Sequence, residues 1–78
     1  MKIKIVNFEF MGRIKQWLVE SKKEENLQNG GFRVLVENPT PFEPKGDIWL
    51  YFDSKKYFDR KNTDIDFTNK MGIEIIEQ

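Results

Sequence analysis

The chain has 78 residues, of which 38% are hydrophobic and 14% aromatic, and its thirteen basic side chains balance thirteen acidic ones. This length predicts one small domain, residues 1–78, with a modest core. The absence of cysteine and histidine excludes disulfides, zinc–thiolate sites and the commonest acid–base catalyst. The balanced charge lacks the basic excess of a duplex-DNA binder and the acidic excess of a DNA mimic.

The first segment, KIKIV, alternates apolar and basic side chains. Ile3 and Ile5 fall on one side, and Lys2 and Lys4 on the other, which predicts a strand with one solvent-facing side. Lysine interrupts the apolar residues, so the segment does not have the pattern of a signal peptide, and no run approaches the length of a membrane span. Together with the absence of cysteine, this pattern favours a cytoplasmic location.

A helix of roughly four turns is predicted from Phe10 to Ser21. Apolar side chains recur at helical spacing, and the residues between them are mostly charged. The segment QNGG, residues 28–31, is the predicted stop, because glycine readily adopts the left-handed conformation that ends a helix. The predicted buried face of this helix contains Phe10, Ile14, Trp17 and Leu18.

Two strands and a loop are predicted next. The β-branched, apolar segment FRVLVEN predicts a second strand. Residues 38–46 contain all three prolines, so we expect a stiff, extended loop. Its PFEPK segment matches the PxxP pattern that docks on aromatic grooves. We regard this loop as a candidate functional segment because it is longer than a usual hairpin turn.

The segment DIWLYFD has the strongest strand pattern in the chain. Ile48, Leu50 and Phe52 alternate with Trp49 and Tyr51. Because both sides are apolar, we expect a central strand.

The C-terminal third predicts a second helix and a last strand. Asp53 or Ser54 is a good N-cap for SKKYFDRK, and TDID resembles a capping box that begins another short helix. Gly72 is the expected stop, and IEII is the expected last strand. An alternative is a hairpin with Tyr57 and Phe58 on a strand, which gives a small antiparallel sheet under one helix.

The order strand–helix–strand–strand–helix–strand predicts an α+β fold. We favour a ferredoxin-like βαββαβ sandwich, in which a four-stranded antiparallel sheet carries two helices on one side. The first and third strands of that topology lie in the middle. The predicted main core contains Phe10, Ile14, Leu18, Ile48, Leu50 and Phe52.

Two segments resemble strands of the RNA recognition motif, which has this same order of elements. KGDIWLYF, residues 45–52, resembles its third strand with a basic residue, a glycine and spaced aromatics. IKIVNF, residues 3–8, resembles its first strand. The resemblance implies that Trp49 is a stacking platform, with Leu50 and Phe52 in the core.

Two of the three stacking aromatics of that family are missing. Asp47 stands at one of these positions and Lys4 at another. The resemblance therefore implies a degenerate member of the family. The sheet of such a member is expected to bind protein or nothing, with single-stranded RNA or DNA as the alternative.

The strand parity predicts the binding site. Side chains that alternate with a buried set face the other side of the sheet, where no helix is predicted. Trp49 and Tyr51 are therefore expected to form a partner-facing patch with Lys4 from the neighbouring strand, and with Phe42 and Lys45 from the proline loop. Trp and Tyr are common anchors of protein interfaces.

Other chemistry has few candidates. NTDIDF places acidic residues at alternate positions, but phenylalanine and isoleucine replace the glycine and glutamate of an EF-hand. Asp64 and Asp66 are expected to cap a helix rather than to hold Mg²⁺. Serine has no histidine to activate it, so we predict no catalytic residue, metal or cofactor. The sequence predicts a small regulator or inhibitor of a protein partner, encoded by a phage or other mobile element, with a single-stranded nucleic-acid binder as the alternative.

Overall fold

A computed structural model describes residues 1–63 and 71–77, and the described chain is built from strands. It contains no helix, so the predicted α+β, ferredoxin-like fold is wrong. The strands are β1 (Lys2–Phe10), β2 (Arg13–Glu20), β3 (Lys23–Asn26), β4 (Phe32–Glu37), β5 (Asp47–Phe52) and β6 (Met71–Glu77).

The strands form two antiparallel sheets of three. The first sheet has the order β2-β1-β6, and the second has the order β3-β4-β5. A corner at Ser21 and Lys22 joins them. The Ser21 N–H donates to the Met1 carbonyl at 2.9 Å, and the Lys22 N–H donates to the Leu35 carbonyl at 2.7 Å. The chain therefore leaves the first sheet and enters the second within two residues.

The core lies between the two sheets, where every contributing strand places alternate residues inward. Leu50 and Val34, which pair across β5 and β4, are both fully buried. The prediction that Ile48, Leu50 and Phe52 are core is confirmed. The buried apolar cluster comprises Ile3, Ile5, Val34, Val36, Ile48, Leu50, Phe52 and Met71.

The predicted helix from Phe10 to Ser21 is instead a tight turn followed by β2. Ile14 and Leu18, predicted to be buried, are 65% and 60% exposed. The error has a physical cause, because residues four apart share a face in a strand as well as in a helix. Trp17, which is adjacent to Leu18 in the sequence, points to the opposite side and packs against the core.

The second predicted helix is also wrong over the residues that the structure describes. Residues 53–57 form a turn in which the Lys56 N–H donates to the Asp53 carbonyl at 3.0 Å. Phe58 then forms an antiparallel bridge with Phe52, which is close to the alternative of a hairpin. The TDID segment lies mostly outside the described residues.

The strand predictions are more accurate than the helix predictions. FRVLV and IEII lie in β4 and β6 as expected, although Gly72 lies within β6 instead of ending a helix. Among the described strands, β5 is at the edge of its sheet rather than in the centre. The segment after Phe58 covers its outer edge, since the Asp59 N–H donates to the Tyr51 carbonyl at 2.7 Å.

Candidate protein-binding hairpin

Trp49 and Tyr51 share the outer side of the second sheet, as their parity predicted. Arg33 lies opposite Tyr51 on the neighbouring strand β4. Its guanidinium carbon is 3.9 Å from the centre of the Trp49 ring, and its Nη1 donates to the Tyr51 hydroxyl at 3.1 Å. A cation this close to an aromatic face forms a cation–π contact, so the guanidinium covers the indole.

Glu25 holds this arginine in place. The Arg33 Nε donates to the Glu25 carboxylate at 2.8 Å, and the Arg33 Nη2 lies 2.6 Å from the same oxygen. The hydrogen bonds that the guanidinium donates to Glu25 and Tyr51 raise the pKa of Arg33 further above its ordinary value. Arg33 is therefore a fixed cation over Trp49, and Trp49 is not an open platform for a base.

The structure does not bring the other three predicted site residues to Trp49. Lys4 lies on the first sheet, where its Nζ is 2.6 Å from the Glu74 carboxylate. Phe42 packs edge-to-face on Phe10, with ring centres 6.2 Å apart. Lys45 donates to the Thr40 carbonyl within the proline loop at 3.2 Å.

Asn38, which is nearly buried, organises the proline loop. Its Nδ2 donates to the carbonyls of Phe42 at 2.7 Å and Pro44 at 2.8 Å. Its Oδ1 accepts from the N–H and the hydroxyl of Thr40. The loop is therefore a fixed structural connection, tied internally by one side chain.

The β1–β2 hairpin extends beyond the rest of the first sheet. β6 pairs with β1 only as far as Asn7, which lies opposite Met71. Beyond Asn7, the part of the first sheet that the structure describes has two strands, and the molecule is elongated, with extents of 39 × 22 × 21 Å. Among the described residues, the end of the hairpin is therefore a two-stranded extension, and none of the fully buried core residues lies on it.

Most of the large apolar side chains that are exposed in the described residues lie on this hairpin. Four of six are there, and the other two are Tyr57 and Ile76. We use the name hairpin face for these four residues: Phe8, Met11, Ile14 and Leu18. Phe8 is 56% exposed and Met11 is 87% exposed. Exposed apolar side chains that cluster in this way are typical of interaction sites.

The strand pairing places three of these side chains on the same outer side. Leu18 lies opposite Lys4, and Ile14 lies opposite the bulge that follows Asn7 in β1. Phe8 belongs to this bulge, and its ring lies over Gly72 of β6. A methyl group at Gly72 would be 3.3 Å from Cε2 of Phe8. The absence of a side chain at Gly72 thus leaves room for the Phe8 ring against β6.

Met11 lies at the tip of the hairpin in an unusual backbone conformation. Met11 and Gly12 have φ values of 51° and 79°, as in the two-residue type I′ turns that connect strands. Asn, Asp or Gly is the usual residue at the first of these positions, because a larger side chain is strained there. The sequence thus has a flexible apolar side chain where turn stability alone favours asparagine.

A pattern in the sequence could have identified this hairpin. The dipeptide MG lies between FEF and RIKQWLVE and has glycine at the second position of a two-residue turn. In the segment after it, Ile14, Gln16 and Leu18 alternate with Lys15, Trp17 and Val19, as in a strand. The helical spacing of the same apolar residues concealed this alternation.

The described residues offer no site for metal chemistry. They contain no group of three or more acidic residues arranged to hold a metal ion. The Asp64 and Asp66 positions lie outside these residues. Between residues 1 and 63 and between 71 and 77, no helix is long and apolar enough to cross a membrane.

No protein-family model, curated protein or solved structure gave a match to this chain. The resemblance to the RNA recognition motif therefore stays a prediction. The two strands on which it depends, β1 and β5, lie in different sheets.

Proposed function

We propose that this chain is a non-enzymatic protein-binding domain, a regulator or inhibitor, whose contact element is the β1–β2 hairpin. The observation that carries the proposal is the concentration of exposed apolar side chains on one projecting hairpin. A partner surface of complementary apolar character would bury these side chains, and their removal from water favours association.

Met11 supports this assignment independently of exposure. A strained, highly exposed apolar residue lowers the stability of the turn without an evident structural gain. Local rules of this kind are most often broken at functional sites. Methionine also adapts its shape to apolar partner surfaces.

The charges around the hairpin face favour a protein over a polyanion. Arg13 and Lys15 lie beside it, but Lys4 is neutralised by its ion pair with Glu74. Nucleic-acid binding needs several free cations for phosphate contacts. Mixed charge around an apolar centre is the usual arrangement of a protein interface.

A second candidate function, single-stranded nucleic-acid binding, is supported by the Arg33–Trp49–Tyr51 cluster on the second sheet. Arginine and aromatic side chains together bind unstacked bases. Binding there requires Arg33 to leave Trp49 and Glu25, so we place this candidate second.

The test is affinity capture from host lysate, with and without nuclease, using wild-type protein and two single variants. Phe8→Gln removes a side chain from the hairpin face without changing β2. Trp49→Gln is the matched control, because it removes an aromatic from the outer side of the other sheet. Circular dichroism of each variant verifies that it is folded.

The proposal predicts that Phe8→Gln weakens binding of the captured protein by about 2 kcal/mol, or roughly 30-fold in Kd. Trp49→Gln should bind as wild type does. Loss of binding in Trp49→Gln alone would move the interface to the second sheet. If nuclease removes retention and Trp49→Gln abolishes it, the nucleic-acid candidate is correct.

Met11→Asn separates stability from binding. Asparagine tolerates the left-handed conformation, so this variant should be more stable than wild type by about 0.5–1 kcal/mol, within the usual range of turn optimisation. Under the proposal, it should also bind the captured protein more weakly. A variant that is both more stable and equally strong in binding would show that Met11 makes no contact.

A further inference from the structure

We propose that two copies of this chain associate through β2, edge to edge and antiparallel, to form one continuous six-stranded sheet. This inference goes beyond the proposed function, because it concerns a different partner, a second copy of the chain, and adds the backbone edge of β2 to the side chains of Ile14 and Leu18. It depends on three observations: the open edge of β2, the alternation of its side chains, and the charges along it.

The directions of the backbone N–H and C=O groups show that the outer edge of β2 is open. β2 is the end strand of its sheet, and no described strand pairs with its other edge. The Ser21 N–H donates to the carbonyl of Met1, the residue before β1, and successive N–H groups of a strand point to opposite sides. Odd residues of β2 therefore bond to β1, while Gln16 and Leu18 direct their N–H and C=O groups outward.

The edge is also exposed and long enough to pair. β2 has eight residues, and Ile14 and Leu18 on it are largely exposed. Such an edge is a template for another strand. The β2 strand of a second copy can form hydrogen bonds with the outward N–H and C=O groups of this edge. The interface is closed and twofold, because each strand presents the same groups to the other.

The side chains select one register. When Gln16 lies opposite Gln16 of the second copy, Ile14 lies opposite Leu18 in two symmetric pairs. Apolar cross-strand pairs of this kind stabilise a sheet. In the same register, Lys15 lies opposite Trp17 and Arg13 opposite Val19, so no like charges face each other.

Other registers of the β2–β2 pairing give less favourable cross-strand pairs. A shift that centres the pairing on Lys15 places this lysine opposite its own copy, and like charges directly opposite are destabilising. A shift that centres it on Trp17 places Ile14 opposite Glu20. A shift that centres it on Leu18 places Arg13 opposite Lys23. The register centred on Gln16 avoids all three conflicts.

The dimer would place the two copies of the hairpin face on one surface. Phe8 and Ile14 of each copy share the outer side of the first sheet, and a twofold axis perpendicular to the sheet keeps them on that side. The combined surface has twice the apolar residues of one copy, which suits a larger partner surface.

The test is the molar mass in solution, by light scattering or sedimentation equilibrium, of purified wild-type chain from micromolar to millimolar concentration. The proposal predicts reversible dimerisation. A monomer throughout this range would overturn it, as would assembly that continues beyond the dimer.

Two double variants test the register. Ile14→Lys with Leu18→Lys places like charges opposite each other in both symmetric pairs, and should weaken the dimer at least about tenfold. Ile14→Lys with Leu18→Glu removes the same apolar side chains but places opposite charges together, and should stay dimeric. Equal dissociation constants for the two variants would refute this register.

Gln16→Pro tests the edge with the side-chain pairs unchanged. Its N–H points away from β1, so proline removes no bond within the sheet and is tolerated on an edge. The variant should be folded and monomeric, while Gln16→Ala should be a dimer. If Gln16→Pro is folded and dimeric, the contact is elsewhere. Because Gln16→Pro leaves the hairpin face intact, binding of the captured protein by this monomer tests the proposed function separately.

Discussion

Two leucine-to-alanine variants test the fold most sharply, because they delete the same atoms from opposite environments. Leu50 is fully buried between the sheets, whereas Leu18 is 60% exposed. The helical interpretation of residues 10–21 makes both leucines core residues, and the strand structure makes only Leu50 one. The difference in unfolding free energy between the variants thus separates the two folds.

The expected magnitude follows from burial. Replacement of a fully buried leucine by alanine costs about 3–5 kcal/mol, through lost transfer energy and the cavity that remains. A domain of this size has a total stability of only about 4–12 kcal/mol. Leu50→Ala should thus remove about a quarter of the stability or more. Leu18→Ala should cost less than about 1 kcal/mol, as exposed strand substitutions do.

Urea unfolding followed by tryptophan fluorescence measures both values. The slope of free energy against urea should be similar for the two variants, so that a change in midpoint reports stability. If Leu50→Ala and Leu18→Ala lower the free energy of unfolding equally, the strand assignment of β2 is contradicted. A small loss for Leu50→Ala would contradict the placement of the core.

Three further predictions concern other parts of the molecule. Asn38→Ala should destabilise the domain by about 1–3 kcal/mol, because it leaves the buried Thr40 and two loop carbonyls without the hydrogen bonds of this side chain; a melting temperature equal to that of wild type would refute this. Arg33→Ala should expose Trp49 and increase acrylamide quenching of its fluorescence in a Trp17→Phe background, with Lys23→Ala as the control; unchanged quenching would mean that Arg33 does not cover the indole. A chelator should leave the melting temperature unchanged, whereas stabilisation by added calcium or magnesium would indicate a cation site at Asp64 and Asp66.

The strands could be predicted where only one period fits the residues. In β5, Ile48, Leu50 and Phe52 alternate without interruption, and period two has no helical counterpart. β1 and β4 follow the same rule. The core contributed by these strands was therefore accessible from the sequence.

β2 could not be predicted in this way, because its apolar residues satisfy both periods. Ile14 and Leu18 are four apart, which fits one side of a helix or one side of a strand. Tertiary pairing with β1 decides between them. The MG turn was the available signal, but methionine is not a usual residue at its first position.

The binding patch predicted from the sequence is not the hairpin face, and only its strand parity agrees with the structure. The parity of Trp49 and Tyr51 was correct, and it followed from β5 alone. Lys4 was expected beside them because β1 and β5 were expected to be neighbours, and the two strands lie in different sheets instead. Contacts that depend on which strands pair require the topology, and local pattern does not give it.

The central claim is that the hairpin face is exposed in the free protein and covered in the complex with its protein partner. Methyl relaxation by a soluble gadolinium chelate measures this directly. In the free protein, the methyl groups of Ile14 and Leu18 should relax rapidly and those of Ile5 and Leu50 slowly. In the complex, Ile14 and Leu18 should become protected. If Ile14 and Leu18 relax as rapidly in the complex as in the free protein, the hairpin face is not the binding site.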